Sequence, residues 1–231
     1  MRVDLHLTLC VVLGCFGTVA FPGTTGMEQV APCLINKKIQ EARSKELKKL
    51  YDADQVDRAF FEAHPEKPQP EEEVIKMGKR DLSRRKRVGE ILGEGCLSGS
   101  EDYKSAAMIF QHGNHPDHFF QAFVWAKKSF DLGDTSQKKI VALAADRYLV
   151  SMGQKQLFGS QAFKAQTMGS CFCIQPIEEN FPDNIRVEYT GKTSQQALDW
   201  LDTLNSGHDC PKQECDTKLK PTPKGSLSGF W

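Results

Sequence analysis

The sequence has no surplus of charge of either sign: 30 basic and 30 acidic side chains cancel across 231 residues. A chain balanced in this way has no net positive field to displace the counterions of nucleic acid, which argues against a nucleic-acid partner held by bulk charge. It also lacks the pairing of low hydrophobicity with net charge that keeps chains unfolded; 39% of its residues are hydrophobic, enough for one globular core. No Asn-x-Ser/Thr sequon is present, so N-glycosylation is not expected. No Cys-x-x-Cys pair is present, which removes the strongest sign of a structural zinc site. The Gly-x-Ser-x-Gly elbow of hydrolases is missing at Ser160, because Ala162 stands where the second glycine belongs. Past the first twenty residues there is no apolar run near the roughly 20 residues that cross a bilayer. Nothing in the chain calls for a cofactor, and none is expected.

The chain opens with a targeting segment. Arg2 gives a short positive start, and Leu5 to Ala20 follows almost without charge. Thr18 and Ala20 place small side chains at the minus-three and minus-one positions of a cut before Phe21. This is the layout of a secretory signal peptide over residues 1–20. The competing reading, a membrane anchor, has an apolar run of only about sixteen residues to work with. Cleavage removes Arg2 and Asp4, leaving 29 charges of each sign, and predicts a secreted product with no membrane association.

Cleavage also removes Cys10 and Cys15. Six cysteines remain: Cys33, Cys96, Cys171, Cys173, Cys210 and Cys215. An even count in an exported chain points to up to three disulfides. Cys171 and Cys173 lie two apart in an extended segment and point the same way, so each is expected to bond elsewhere, with the 210/215 pair as candidate partners. Zinc is the alternative that the Cys171-x-Cys173 and Cys210-x4-Cys215 spacings leave open, and no metal is expected.

The mature chain reads as mainly α: antiparallel helical hairpins in a bundle, a short extended or β-hairpin region near 157–189, and a disordered C-terminal tail. A lead of residues 21–33 precedes a single helical domain over 34–205, and 206–231 form a Cys/Pro/Lys tail. Residues 34–63 carry helix formers with apolar Leu34, Ile35, Ile39, Leu47, Leu50, Val56 and Phe60, as one helix or two. His64-Pro65 ends it, and Pro65, Pro68 and Pro70 stiffen a linker. A charged helical pattern resumes over 71–94. Three punctuated helices follow, closed at Gly113, Gly133 and Gly153. Their start signals are Ser98 with Glu101, then Pro116, then Asp134 or Thr135. Short connections make them antiparallel neighbours. Leu157–Phe163 and Ser170–Ile174 read as strands around Met168-Gly169, and Ile185–Tyr189 as a third extended segment. Thr193 or Ser194 caps a last helix through Leu204.

Polar residues that can carry chemistry cluster in the centre. Gln111-His112-Gly113 ends one helix, Asp146-Arg147 lies inside another, and Gln156, Ser160 and Gln161 flank Phe158-Gly159. His112 and Asp146 are the catalytic candidates. Histidine exchanges protons near neutral pH, Asp146 can orient it, and Arg147 can grip an anion in bidentate fashion. Gln111, Arg147, Gln156, Ser160 and Gln161 are the binding candidates, for a small polar ligand or a protein partner. The plain alternatives are a helix cap at His112, an internal Asp–Arg ion pair, and glutamines that satisfy loop backbone. His112, His115 and His118 recur at three-residue spacing, but Pro116 keeps them off a common helical face. The basic run Lys79–Arg87 reads as a solvated helix face, with cleavage at Arg84-Arg85-Lys86-Arg87 as the lesser alternative.

These residues resemble a family of domains of uncharacterised function found mainly in bacteria. The resemblance lies in Asp57-Arg58, Asp81-x-x-Arg84-Arg85-x-x-Val88 and Asp102-Tyr103-x-x-Ala106-Ala107-x-Ile109-Phe110-Gln111-His112-Gly113. It continues through Asp146-Arg147-Tyr148-Leu149, Gly153-x-x-Gln156 and Phe158-Gly159-Ser160-Gln161, and covers about residues 50–165. The family usually has threonine where this chain has Ser160. The resemblance implies an α-rich domain with a shared polar site and brings no activity with it. Two readings of function remain: a secreted helical binding or structural module with a polar site, and a secreted enzyme using His112, Asp146 and Arg147 on a small polar or anionic substrate.

Overall fold

The computed structural model describes residues 31–63, 70–164, 171–205 and 208–231. The expected signal segment, most of the lead, the prolines at 65 and 68 and the expected turn at Met168-Gly169 lie outside the described residues. The fold is mainly helical: α1 (Pro32–Ile35), α2 (Lys37–Ala63), α3 (Glu71–Gly93), α4 (Ser100–Gln111), α5 (Pro116–Asp131) and α6 (Lys138–Ser151), the last entered through a short 3-10 turn. A two-stranded antiparallel ribbon follows, β1 (Ala162–Lys164) and β2 (Phe172–Ile174), with Phe163 opposite Cys173. Then come α7 (Asp183–Thr190), α8 (Ser194–Asp199) and α9 (Leu201–Leu204).

The central helices form for the reasons legible in their punctuation. At α4 the cap falls one residue later than the expected Ser98 with Glu101: Gly99 is the N-cap, and the Asp102 carboxylate accepts from the backbone N–H groups of Ser98 and Gly99. At α5, Pro116 takes the first position and His115 Nδ1 accepts from Asp117 N–H. Asp134 accepts from Ser136 N–H ahead of α6. Alanines 106, 107, 122, 126, 142, 144 and 145 are all buried and let α4, α5 and α6 approach closely, with Ile109, Trp125 and Leu149 filling the core between them. Gly133 and Gly153 adopt left-handed φ angles of 104° and 74°. Gly113 is required for a different reason: a Cβ there would lie 2.4 Å from His118 Cβ.

The α2–α3 pair departs from the usual order. Val56, Ile75, Leu82 and Leu92 face outward, while Asp54, Asp81, Arg84 and Arg85 are buried. The basic run is therefore a solvated face only in part: Lys79, Arg80 and Lys86 are exposed, while Arg84 and Arg85 are buried. Arg84 bonds Asp57 at 2.7 Å and Asp81 at 2.6 Å, and Arg87 bonds Glu46 and Glu90. Its helical, partly buried backbone is not presented as an extended protease substrate.

Two further expectations need correction. Ile185–Tyr189 lies in a helix, not a strand. Its alternating apolar residues imitate a strand, but Pro182 and Gly191 bracket it, and the i,i+4 pair Ile185 and Tyr189 packs on the core while Val187 faces out. Arg186 forms its anchor, fully buried and donating to the carbonyls of Leu157, Phe181 and Glu178. The C-terminal segment lacks regular structure, as its composition predicts, but it is not loose. Leu227 is fully buried, and the Phe230 ring meets those of Phe123, Phe158 and Tyr189. Thr222 bonds Glu178 and Lys155.

All six cysteines beyond residue 20 pair: Cys33–Cys96, Cys171–Cys210 and Cys173–Cys215. The neighbours 171 and 173 take separate partners, from 210 and 215 as expected. Among the described residues, the one cysteine-containing group able to approach a metal is Cys33, Glu94 and Cys96, and both of its sulfurs are spent in the disulfide. No described helix is long and apolar enough to cross a membrane.

Candidate functional site

Asp146 projects from the middle of α6 into the turn that follows the helix. It is fully buried. One carboxylate oxygen accepts from Leu157 N–H (2.8 Å) and Phe158 N–H (2.9 Å). The other accepts from Ser160 N–H (2.9 Å) and Ser160 Oγ–H (2.8 Å). Burial pushes its pKa up to about 6, against the opposing pull of those four donors. The turn closes at Gly159, with φ at 77° and a Cβ position only 2.7 Å from Ala197 Cβ. Asp146 therefore shapes the 157–160 turn. It does not orient His112 and does not pair with Arg147.

Gln156 completes the turn. Its amide donates to the carbonyls of Gln161 (3.2 Å) and Gln175 (2.6 Å), and its oxygen accepts from Gln161 N–H (2.8 Å). Fully buried and saturated by backbone, it has nothing left for a ligand. The Ser160 hydroxyl proton points to Asp146 rather than to a histidine.

Arg147 is the member that stays open. Nη1 donates to the Gln111 carbonyl at 2.7 Å, and Nε donates to Gln161 Oε1 at 3.3 Å. Its guanidinium lies over the Phe119 ring, 5.6 Å from the centroid. It pairs with no carboxylate among the described residues. Burial and the nearby Arg58 cation both lower its pKa. Arg147 lines a cavity of about 490 Å³ together with Gly113, Phe119, Ser160, Gln161 and Trp200. Gln161, fixed to Arg147, Ser160 Oγ and the Leu143 carbonyl, presents the same wall. The structure thus brings Arg147, Ser160 and Gln161 together. Gln111 contributes its carbonyl to Arg147, while its own side-chain oxygen is buried without a partner.

His112 belongs to a neighbouring cluster that the sequence did not reveal as a site. Its Nδ1 lies 2.8 Å from the buried Asp54 carboxylate. Asp54 also accepts from Arg58 at 2.9 Å; Arg58 reaches Asp81 at 2.8 Å. Arg85 donates to the His112 carbonyl at 3.2 Å, has no direct carboxylate partner among the described residues, and leaves Nε buried and unbonded. Burial lowers its pKa. The three histidines do not share one centre: the His115 and His118 rings meet edge-on at 5.9 Å, with His115 capping α5 and His118 Nδ1 accepting from Asn114 N–H, while His112 turns to Asp54. Asp57-Arg58 and Asp81-x-x-Arg84-Arg85 were visible as motif residues, but nothing in the spacing told that they are buried around Asp54.

No protein-family model, curated protein or solved structure matches this chain.

Proposed function

We infer that the chain is an exported, disulfide-braced helical binding module that holds a small anionic ligand on Arg147. One observation carries this reading. The Arg147 guanidinium is half-buried at the wall of a cavity, and among the described residues it meets no carboxylate and bonds only through Nε and Nη1, to Gln161 and Gln111. A buried cation is costly unless an anion meets it. An incoming carboxylate or phosphate takes the free edge of a guanidinium already fixed by Gln111 and Gln161, and so loses little to ordering. Export is supported by the charge-poor segment before Phe21 and by the three disulfides.

The test is calorimetric titration of the oxidised protein with inorganic phosphate and with acetate. Binding that is lost in a folded Arg147→Gln protein supports the reading. Equal binding by both proteins, or none by either, overturns it.

A second reading rests on His112. A carboxylate on Nδ1 holds the imidazole with Nε2 as the free nitrogen, the arrangement of a general base. In that enzyme Asp54 is the partner, Arg147 the substrate anchor and Asp146 a structural residue. Activity on an anionic ester that disappears in His112→Ala supports this reading, and persistence of the activity removes it.

A further inference from the structure

A second cavity, of about 370 Å³, adjoins the first. It is lined by Lys139, Leu143, Phe158, Thr190, Lys192 and Trp200 among others, and it shares Ser160 and Trp200 with the Arg147 cavity. Helix α6 runs beside both. Lys139, Ala142 and Leu143 face the second cavity, and Arg147, Val150 and Ser151 face the first. Lys139 and Arg147 are eight residues apart on that helix, a rise of about 12 Å.

The second cavity has its own uncompensated charge. Neither Lys139 nor Lys192 pairs with a carboxylate among the described residues, although the adjacent Lys138 does, with Glu188 at 3.1 Å. Lys192 Nζ sits 4.7 Å from the centroid of the Trp200 ring. Partial burial and the charge of Lys139 both lower the Lys192 pKa, as expected where two cations share a recess without an anion. Between the two cationic ends the shared wall is Trp200 with the Ser160 hydroxyl, flanked by Phe158 on one side and by Phe119, Phe163 and Phe172 on the other.

We propose that the two cavities form one bipartite site for an elongated organic molecule with an anionic group at each end and an apolar middle, one anion on Arg147 and the other on Lys139 and Lys192. This rests on the Arg147 reading above and extends it to the class of ligand. Joining two anions in one molecule makes the second contact intramolecular, so a linker that fits the span raises affinity by about 10²-fold or more without any new contact.

The experiment is calorimetric titration of the oxidised protein with butylphosphonate and with α,ω-alkane bisphosphonates of increasing chain length. The proteins compared are wild type, Arg147→Gln and the double variant Lys139→Gln with Lys192→Gln. Lys139 is exposed and Lys192 half-buried, and neither carries an ion pair among the described residues, so the double variant is expected to keep the fold, as circular dichroism checks. Expected are a chain-length optimum, at least 10-fold tighter binding there than for butylphosphonate, and collapse of that advantage in the lysine variant while Arg147-dependent butylphosphonate binding persists. Bisphosphonates no tighter than butylphosphonate at any length, or a lysine variant with wild-type bisphosphonate affinity, overturn the bipartite site and leave the Arg147 reading standing. Butylphosphonate binding that ignores Arg147→Gln overturns that reading as well.

Discussion

His112 Nδ1 lies 2.8 Å from a carboxylate oxygen of Asp54, joining the end of α4 to the middle of α2 across 58 residues. Asp54 is completely buried, and the same carboxylate receives Arg58. Its two neighbours depend on it unequally. Removing His112 deletes one charge-assisted bond and leaves Asp54 matched to Arg58, at an expected cost of about 2 kcal/mol. Replacing Asp54 by alanine leaves Arg58 with Asp81 alone and takes the partner of His112 Nδ1 at the same time, at an expected cost of about 3–5 kcal/mol. Urea denaturation of His112→Ala and Asp54→Ala checks the order. The hub role fails if the histidine change costs the more.

Asp146 gives a pH signature whose sign follows from its burial. Its pKa is raised in the folded state to about 6, above the ordinary 3.8. The folded protein therefore holds this proton where the unfolded chain has released it. The contribution to stability is full below about pH 4 and is lost as pH rises through about 6, a swing of about 3 kcal/mol. Asp146→Asn lacks the titration. Wild-type stability relative to that variant should fall between pH 4 and pH 6 and stay level above. A flat difference across that range shows that the four hydrogen bonds on the carboxylate outweigh its desolvation.

What the sequence made legible was local. Helices α5 and α6 were readable because Pro116, Asp134, Gly133 and Gly153 act within a few residues of themselves, and α4 was readable too, although its cap falls one residue later than expected, at Gly99 with Asp102 in place of Ser98 with Glu101. The separate partners of Cys171 and Cys173 followed from the side-chain alternation of an extended segment, but choosing between 210 and 215 required the path of the tail. Three things were hidden, each set by tertiary contact. Arg84 and Arg85 read as solvated because charge is usually outside; the carboxylates of Asp54 and Asp57 on α2 and of Asp81 one turn back on α3 make the burial of Arg84 tolerable, while Arg85 is held by the His112 carbonyl. The alternation of Ile185, Val187 and Tyr189 imitated a strand until Arg186 found its cage of carbonyls. In the candidate site, Arg147 and Gln161, singled out in the sequence, stand together on one cavity wall, but Asp146 was given the wrong partner, because the donors it serves belong to a turn that exists only after folding.

The three disulfides should not open together. Cys33–Cys96 and Cys173–Cys215 are buried, whereas Cys171 and Cys210 are only half-buried. Exposure governs access of an attacking thiolate. Mild reduction followed by differential alkylation and mass spectrometry should label Cys171 and Cys210 first. Cys33–Cys96 spans 63 residues of sequence, so its loss should cost about 4 kcal/mol through the entropy returned to the unfolded chain. First labelling at Cys33 or Cys173 counts against this order.

The C-terminal segment gives the sharpest contrast between composition and structure. Residues 221–229 are Pro-Thr-Pro-Lys-Gly-Ser-Leu-Ser-Gly, a stretch that reads as loose. It nevertheless delivers Phe230 to three aromatic rings, and the Trp231 indole N–H to the Thr222 carbonyl at 2.8 Å. One of those rings is Phe158, which follows Leu157 on the Asp146-held turn and lines the lysine-bearing cavity. The tail thus supports the site from behind. Phe230→Ala should cost about 2 kcal/mol or more, the scale of a truncated aromatic in a packed cluster, where a loose tail would show less than about 0.5 kcal/mol. The same change should raise hydrogen exchange at Leu157 and Phe158 while leaving the α4–α5 core protected. Uniform protection at the turn, with unchanged urea stability, removes the tail from the architecture of the site.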